Sequence, residues 1–212
     1  GENKVMITAI DVNGNEREEM VEVMVIDKVA PEVVTKDFTI SLDDSGRAEV
    51  KALDIDAESK DACGILSRTL NKSLFNCQDI GENVVTLTIT DINGNQSEGT
   101  AIVTVIDEVT PNVIPKDIIV DLDASGNVNV EVNQLYHEVD DNCSVARIEA
   151  SKLSFDCSNI GVNEVNIKAV DQSGNEYVAI ARVTVGDGIA PIVKAKSATI
   201  ELDNNGTGIL KV

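Results

Sequence analysis

Asp11, Asp91 and Asp171 recur every 80 residues, and Asp27, Asp107 and Asp187 recur on the same period. Carboxylates repeated at a fixed spacing suit a hard divalent cation, because Ca²⁺ takes six to eight oxygen ligands, several of them carboxylate. In Asp91-Ile92-Asn93-Gly94-Asn95 the side-chain oxygens fall at alternate positions, as they do in Asp11, Asn13 and Asn15. The opening of an EF-hand loop looks similar, but here the Gly comes too early and the closing Glu is absent. Turn chemistry is the alternative: Asp91 can accept from backbone amides, and Asn-Gly supplies hairpin geometry. A second acidic group, Asp54-x-Asp56-x-Glu58-x-x-Asp61, concentrates four carboxylates that repel one another without a cation. A solvated charged loop is the alternative for that group. In the next repeat Gln134, Tyr136 and Glu138 stand at the places of 54, 56 and 58, while Asp140 and Asp141 keep the acidity.

Catalytic chemistry has little to work with. His137 is the only His, so no Ser-His-Asp or Cys-His arrangement can occur in both repeats. No catalytic or cofactor-binding residue is assigned, and the chain reads as a non-enzyme.

The elements that must position these carboxylates are themselves repeated. In Val84–Pro111, Val85, Leu87 and Ile89 alternate with Thr86, Thr88 and Thr90, the period-two pattern of a strand with one wet face. Asn93-Gly94 then turns the chain into a second β-rich run, Ala101 to Ile106. The same stretch occurs as Lys4–Pro31 and Glu164–Pro191, with Pro31, Pro111 and Pro191 in register. This divides the chain into the closing part of an incomplete repeat (1–31), two complete repeats (32–111 and 112–191), and the opening strands of a further one (192–212). It is expected to be a window on a longer array.

Within 32–111 the pattern predicts a strand over 32–42, a turn at Asp43-Asp44-Ser45-Gly46, and a second strand over 47–55. A polar loop over 56–63, strands over 64–70 and 73–77, and a loop over 78–83 follow, then the hairpin. No stretch has a sustained helical period. The expected fold is all-β, with tandem immunoglobulin-like antiparallel β-sandwiches end to end in a rod. Val85, Leu87 and Ile89, their counterparts Val165, Ile167 and Ala169, and Phe75 and Phe155 are the expected core.

Acidic residues outnumber basic ones 37 to 17, for a net charge of −20. A polyanion repels nucleic acid and anionic membranes, so neither is an expected partner. With three Phe, two Tyr and no Trp, glycan platforms and base-stacking faces are disfavoured. No run reaches the ~18 apolar residues of a membrane helix, so no membrane insertion is expected of this segment. Cys63 and Cys77 hold equivalent places to Cys143 and Cys157. Four Cys allow three connectivities, and the repeat symmetry favours 63–77 and 143–157. A loop of that size closed by a disulfide is worth ~3 kcal/mol in the chain-entropy model and implies an oxidising compartment. A metal–thiolate site is the alternative, without Cys-x-x-Cys spacing to support it.

Phe75-x-Cys77, Ile80-Gly81-x-Asn83, the Asp91–Asn95 turn, Val103-Thr104-Val105, Asp107 and Pro111 together form a recognisable pattern. It resembles hyalin-type (HYR-like) immunoglobulin-like repeats, most closely those of very large surface proteins of Bacteroidota. Asp61-Ala62-Cys63-Gly64-Ile65 and Asp141-Asn142-Cys143-Ser144-Val145 match the same version, with Ser144 in place of its Gly. Gly186-Asp187-Gly188 departs from the usual linker. The resemblance implies stalk or adhesin repeats exported to the cell surface.

In such a sandwich, the loop between the second and third strands and the closing hairpin turn lie at the pole where the chain enters. Asp27, Asp54, Asp56, Asp61, Asp91 and Asn93 would meet at one junction, and Asp107, Asp141 and Asp171 at the next. The expected cofactor is Ca²⁺, stiffening linkers of about four residues, too short to act as free coils. The expected function is an extracellular structural stalk or spacer. Its partners would be neighbouring repeats and, through edge strands, other copies in a fibre. A ligand-binding adhesive module and a spacer of a secreted hydrolase are the alternatives.

Overall fold

The computed structural model describes residues 1–209. The chain begins with an isolated hairpin of β1 (Glu2–Ile10) and β2 (Glu16–Met24). The repeat 32–111 contains β3 (Phe38–Ser41), β4 (Arg47–Glu49), a single helical turn α1 (Ala52–Ile55), β5 (Ile65–Leu70), β6 (Leu74–Asn76), β7 (Gly81–Asp91) and β8 (Gln96–Ile106). One sheet has the order β3-β8-β7-β5, and β4 pairs with β6 in a second. The next repeat contains β9 (Asn112–Pro115), β10 (Ile118–Asp121), β11 (Asn127–Asn129), β12 (Tyr136–Asp140), β13 (Val145–Ala150), β14 (Ser154–Asp156), β15 (Gly161–Asp171) and β16 (Glu176–Gly186). Its main sheet, β10-β16-β15-β13, repeats the first, with β11 paired to β14 and β12 to β9. The chain is thus all-β, built from repeated immunoglobulin-like sandwiches.

The hairpin β7–β8 frames the core because its β-branched residues alternate. Val85, Leu87 and Ile89 on β7 and Ala101, Val103 and Val105 on β8 are buried, with Phe75, Ile55 and Val50 filling the space opposite. Val165, Ile167, Ala169 and Phe155 are buried at the equivalent places. On β1 the counterparts Val5 and Ile7 are 45% and 54% exposed. The ladder alone therefore does not bury this face; the strands flanking β7–β8 do.

β3 runs parallel to β8, from Phe38↔Val103 to Ser41↔Ile106. A chain that enters a sandwich at one pole and leaves at the other must run its first and last strands in the same direction, so their pairing is parallel. Three strand expectations need correction. Of residues 32–42 only Phe38–Ser41 joins a ladder, and Glu32 and Thr35 make isolated bridges to Lys60 and Asp56. The strand expected over 47–55 ends at Glu49, because the Lys51 N–H bonds the Asp54 carboxylate and winds one turn that buries Ile55. Residues 192–209 form no strand; within them Asp203 caps a turn over 204–206. The remainder of the expected opening strands, residues 210–212, lies outside the described residues.

The chain divides into two compact units, and they do not follow the 80-residue repeat. One comprises Gly1–Ile114, Glu138–Glu149 and Lys168–Ala179; the other Pro115–His137, Ala150–Ile167 and Ile180–Val212. The first unit therefore contains a whole repeat together with the loops of the next repeat that adjoin its linker.

Turn carboxylates are a recurrent local device. Asp91 is fully buried, which pushes its pKa up, but the Asn95 amide and the Asn95, Asn93 and Gly94 N–H groups outweigh burial and hold it below its ordinary value. Asp43 and Asp123 are lowered chiefly by the hydroxyls of Ser45 and Ser125, and Asp11 by the Asn15 side chain. A carboxyl whose pKa is depressed on folding adds stability that is complete above its unfolded value and is lost as pH falls through the folded one. The ordinary value here is 3.8. In chelator, melting temperature is expected to hold between about pH 7 and 5 and to fall steeply below about pH 4. Thermal melts across that range check it; a decline centred near pH 6 would contradict it.

Candidate functional site

The linker Asp107–Pro111 follows β8 directly and gives way to β9 at Asn112. Around it the first compact unit gathers polar groups from three segments. The Asn175 amide donates to the backbone oxygens of Asp107 (3.0 Å) and Val109 (3.2 Å) and to Asp171 Oδ2 (2.7 Å). Asp171, only 2% exposed, also accepts the Asn175 N–H. Asp141 Oδ2 accepts the N–H groups of Cys143 and Ser144. Asn142 donates to Asp107 Oδ1 and to the Asp43 backbone oxygen, both at 3.1 Å, and Ser173 donates to Asp107 Oδ2. Two of the linker's backbone oxygens, those of Asp107 and Val109, are thus held by one side chain.

One carboxylate oxygen each from Asp107, Asp141 and Asp171 lies within 4.8 Å of the others. Asp107 and Asp171 are buried. Asp141 Oδ1 and Asn142 Oδ1 are buried with no hydrogen-bond partner. Three carboxylates at this spacing, one of them with a buried oxygen that accepts nothing, make a donor set for a hard cation. All of it is oxygen, as Ca²⁺ prefers.

At the preceding linker, Asp27, Asp61 and the Cys63 sulfur form a second group. The Cys63 thiol donates to Asp27, holding that carboxyl below its ordinary value and pushing the thiol up. Asn93 meets Asp27 through its amide nitrogen (3.0 Å), so it is a donor there and not an oxygen ligand. Asp61 caps its own loop through the Cys63 and Gly64 N–H groups. Asp91 bonds the turn residues Asn93 and Asn95. Two other expected ligands are absorbed within the repeat. Asp54 caps α1, and Asp56 pairs with Arg68 and accepts the Ser59 N–H.

The disulfide departs from expectation. Cys77 bonds Cys143, 66 residues away, whereas Cys63 and Cys157 are free and exposed. The expected 63–77 bridge cannot form because β7 separates its ends. The Cys63 loop abuts the Asp91 end, where the Ile92 N–H bonds the Gly64 oxygen. Cys77 precedes Gly81 at the other end, about 33 Å along an 11-residue strand. At that far end Cys77 meets the loop of the next repeat. There Gly46, at φ +70°, leaves no space: a Cβ would lie 2.7 Å from both the Asn142 oxygen and the Cys77 sulfur.

No family model and no curated protein matches the chain. Solved structures do. It is similar to protocadherin gamma B7 extracellular cadherin domains 1–4, at 14% identity and a TM-score of 0.36, with 88% of this chain and 58% of that chain covered. Drosophila N-cadherin EC1-4 gives 15% identity and a TM-score of 0.41, covering 88% and 58%. Titin domains I67–I69 give 12% and 0.42, covering 83% and 71%. The chain therefore spans less than two thirds of the length of these two cadherin structures.

Asn142 and Ser173 are the site residues that pattern reasoning missed. The counterpart of Asn142 is Ala62, so repeat equivalence does not mark it, and Ser173 stands where the preceding repeat has Asn93, with a hydroxyl in place of the amide. The available signal was a polar Asn in place of Ala inside an otherwise matching Asp-x-Cys loop.

Proposed function

We propose that this chain is part of an extracellular structural array whose repeats are locked to one another at their linkers by bound Ca²⁺. The observation that carries this reading is the Asp107–Asp141–Asp171 cluster with the unpaired, buried Asp141 Oδ1. The HYR-like pattern in the residues supports the same reading. In it the repeats form a stiff stalk that holds an adhesive or enzymatic part away from the surface, and each repeat acts mainly on its neighbours. The Ca²⁺ ligands are the three carboxylates, with water completing the shell. The cation's contribution is electrostatic: it holds carboxylates from the linker, the Asp141 loop and the β15–β16 turn in one place.

Calorimetric titration of the intact chain with Ca²⁺ tests this. Binding is expected in the range of extracellular modules, Kd about 10⁻⁴–10⁻³ M, with Mg²⁺ much weaker because it demands a smaller, more regular shell. At 10 mM Ca²⁺ the site would add up to roughly 2.7 kcal/mol by mass action, or about 5–10 °C in melting temperature. No heat and no thermal shift would remove the metal from the reading.

A further inference from the structure

The four cysteines are two types, each occurring twice at the repeat distance, and the structure bonds one of each type. Cys157 is the counterpart of Cys77, and Cys63 of Cys143. The frames that hold them are equivalent. Cys77 opens a 3-10 turn whose N-cap, Asn76, accepts from Gln78; Cys157 opens the same turn, with Asp156 accepting from Ser158. Each sulfur sits against the glycine of the preceding β-turn. A Cβ on Gly46 would lie 2.7 Å from the Cys77 sulfur, and one on Gly126 3.0 Å from that of Cys157. Cys63 and Cys143 both donate their N–H to an Asp two residues earlier, Asp61 and Asp141. The free sulfurs therefore occupy the positions that, one repeat away, carry a bond.

We propose that Cys157 and Cys63 are half-cystines of the same inter-repeat bridge. Cys157 bonds the Cys143-type thiol of a repeat joined after it, and Cys63 the Cys77-type thiol of a repeat joined before it. Successive repeats are then linked by a ladder of disulfides, each spanning one linker. The oxidant is a low-molecular-weight disulfide such as oxidised glutathione. The Cys157 thiolate attacks one glutathione sulfur and expels glutathione thiolate. The incoming Cys143-type thiolate then attacks the Cys157 sulfur and expels the second. Two thiols lose two protons and two electrons, and one glutathione disulfide becomes two thiols.

The ladder has a mechanical consequence. In a chain under tension, the residues between bridged cysteines carry no load. Only the stretch from each Cys143-type to each Cys157-type residue lies outside a bridge, so most of every repeat is shielded.

The test is the full chain lengthened by one of its own repeats, with residues 112–191 duplicated after Pro191, and refolded in a glutathione buffer. This adds one cysteine of each type. Thiols are counted in denaturant, and the linked peptides are identified by mass spectrometry. Two free thiols are expected, Cys63 and the duplicate's Cys157, with Cys157 linked to the duplicate's Cys143. Cys157→Ser is expected to leave the duplicate's Cys143 free, giving three thiols, with Cys63 and the duplicate's Cys157, and no linkage other than Cys77–Cys143. Four free thiols, or a bond between the duplicate's own Cys143 and Cys157, overturns the proposal. The readout needs no Ca²⁺ and is taken with and without chelator, so its failure is separate from failure of the metal reading.

Discussion

Pulled from its ends, the reduced chain is expected to extend about 220–240 Å further than the oxidised one. That is the length of chain across the 66-residue separation between Cys77 and Cys143 at 3.3–3.6 Å per residue. While the bridge holds, those residues stay out of the load path, and β7, β8 and the linker lie among them. The same bridge limits the unfolded ensemble. Closing a loop of this size is worth about 4 kcal/mol in the chain-entropy account, so reduction is expected to lower the melting temperature as well. Single-molecule extension with and without reductant measures the first effect, and thermal melts of the wild type against Cys77→Ser measure the second. An extension unchanged by reductant would mean that the bridge does not form in solution.

Replacing Asp141 with Asn is expected to change stability in opposite directions according to whether Ca²⁺ is present. In chelator, Asp107, Asp141 and Asp171 are three like charges within 4.8 Å, and a pair at that distance repels by roughly 3 kcal/mol at an effective dielectric of 20. Asp141→Asn removes one charge but keeps an oxygen to accept from Cys143 and Ser144, so the melting temperature should rise by a few degrees. In 10 mM Ca²⁺ the same change removes a carboxylate ligand, and affinity is expected to fall about tenfold or more, making the variant less stable than wild type. Melts of both proteins in both conditions give the sign directly. A variant that shifts the same way in chelator and in Ca²⁺ would show that the cluster has no bound cation to lose. Asp171→Asn is a poorer probe, since Asp171 Oδ2 already accepts the Asn175 amide and an Asn there would have to turn to keep that bond.

Much of the architecture was legible from residues alone because it rests on local alternation. Thr86, Thr88 and Thr90 against Val85, Leu87 and Ile89 specify both the strand and its buried face, and Asn93-Gly94 specifies its reversal. The alternating pattern could not show that β3 would join β8 in parallel, or that residues 52–55 would wind into a turn. Those outcomes depend on which pole the chain enters by and on a carboxylate, Asp54, that reaches its own backbone.

The candidate site was legible in outline and not in membership. Periodicity brought Asp107, Asp141 and Asp171 forward, and local crowding of carboxylates brought forward Asp54 and Asp56, which the structure employs within their own repeat. Asn142 stayed hidden because a repeat comparison reports what is shared, and Asn142 is where the repeats differ. The cysteines show the same division. Their types, number and 80-residue spacing were present in the sequence, as were the acidity, the repeat and the sandwich's hydrophobic face, all properties of neighbours along the chain. Partner choice was decided by tertiary structure: an 11-residue strand holds Cys63 and Cys77 at opposite ends of a sandwich, while the fold brings Cys77 to a cysteine 66 residues further on. Sequence separation measures the chain between two groups, and only the folded path sets the distance across which a bond or a shared ion can act.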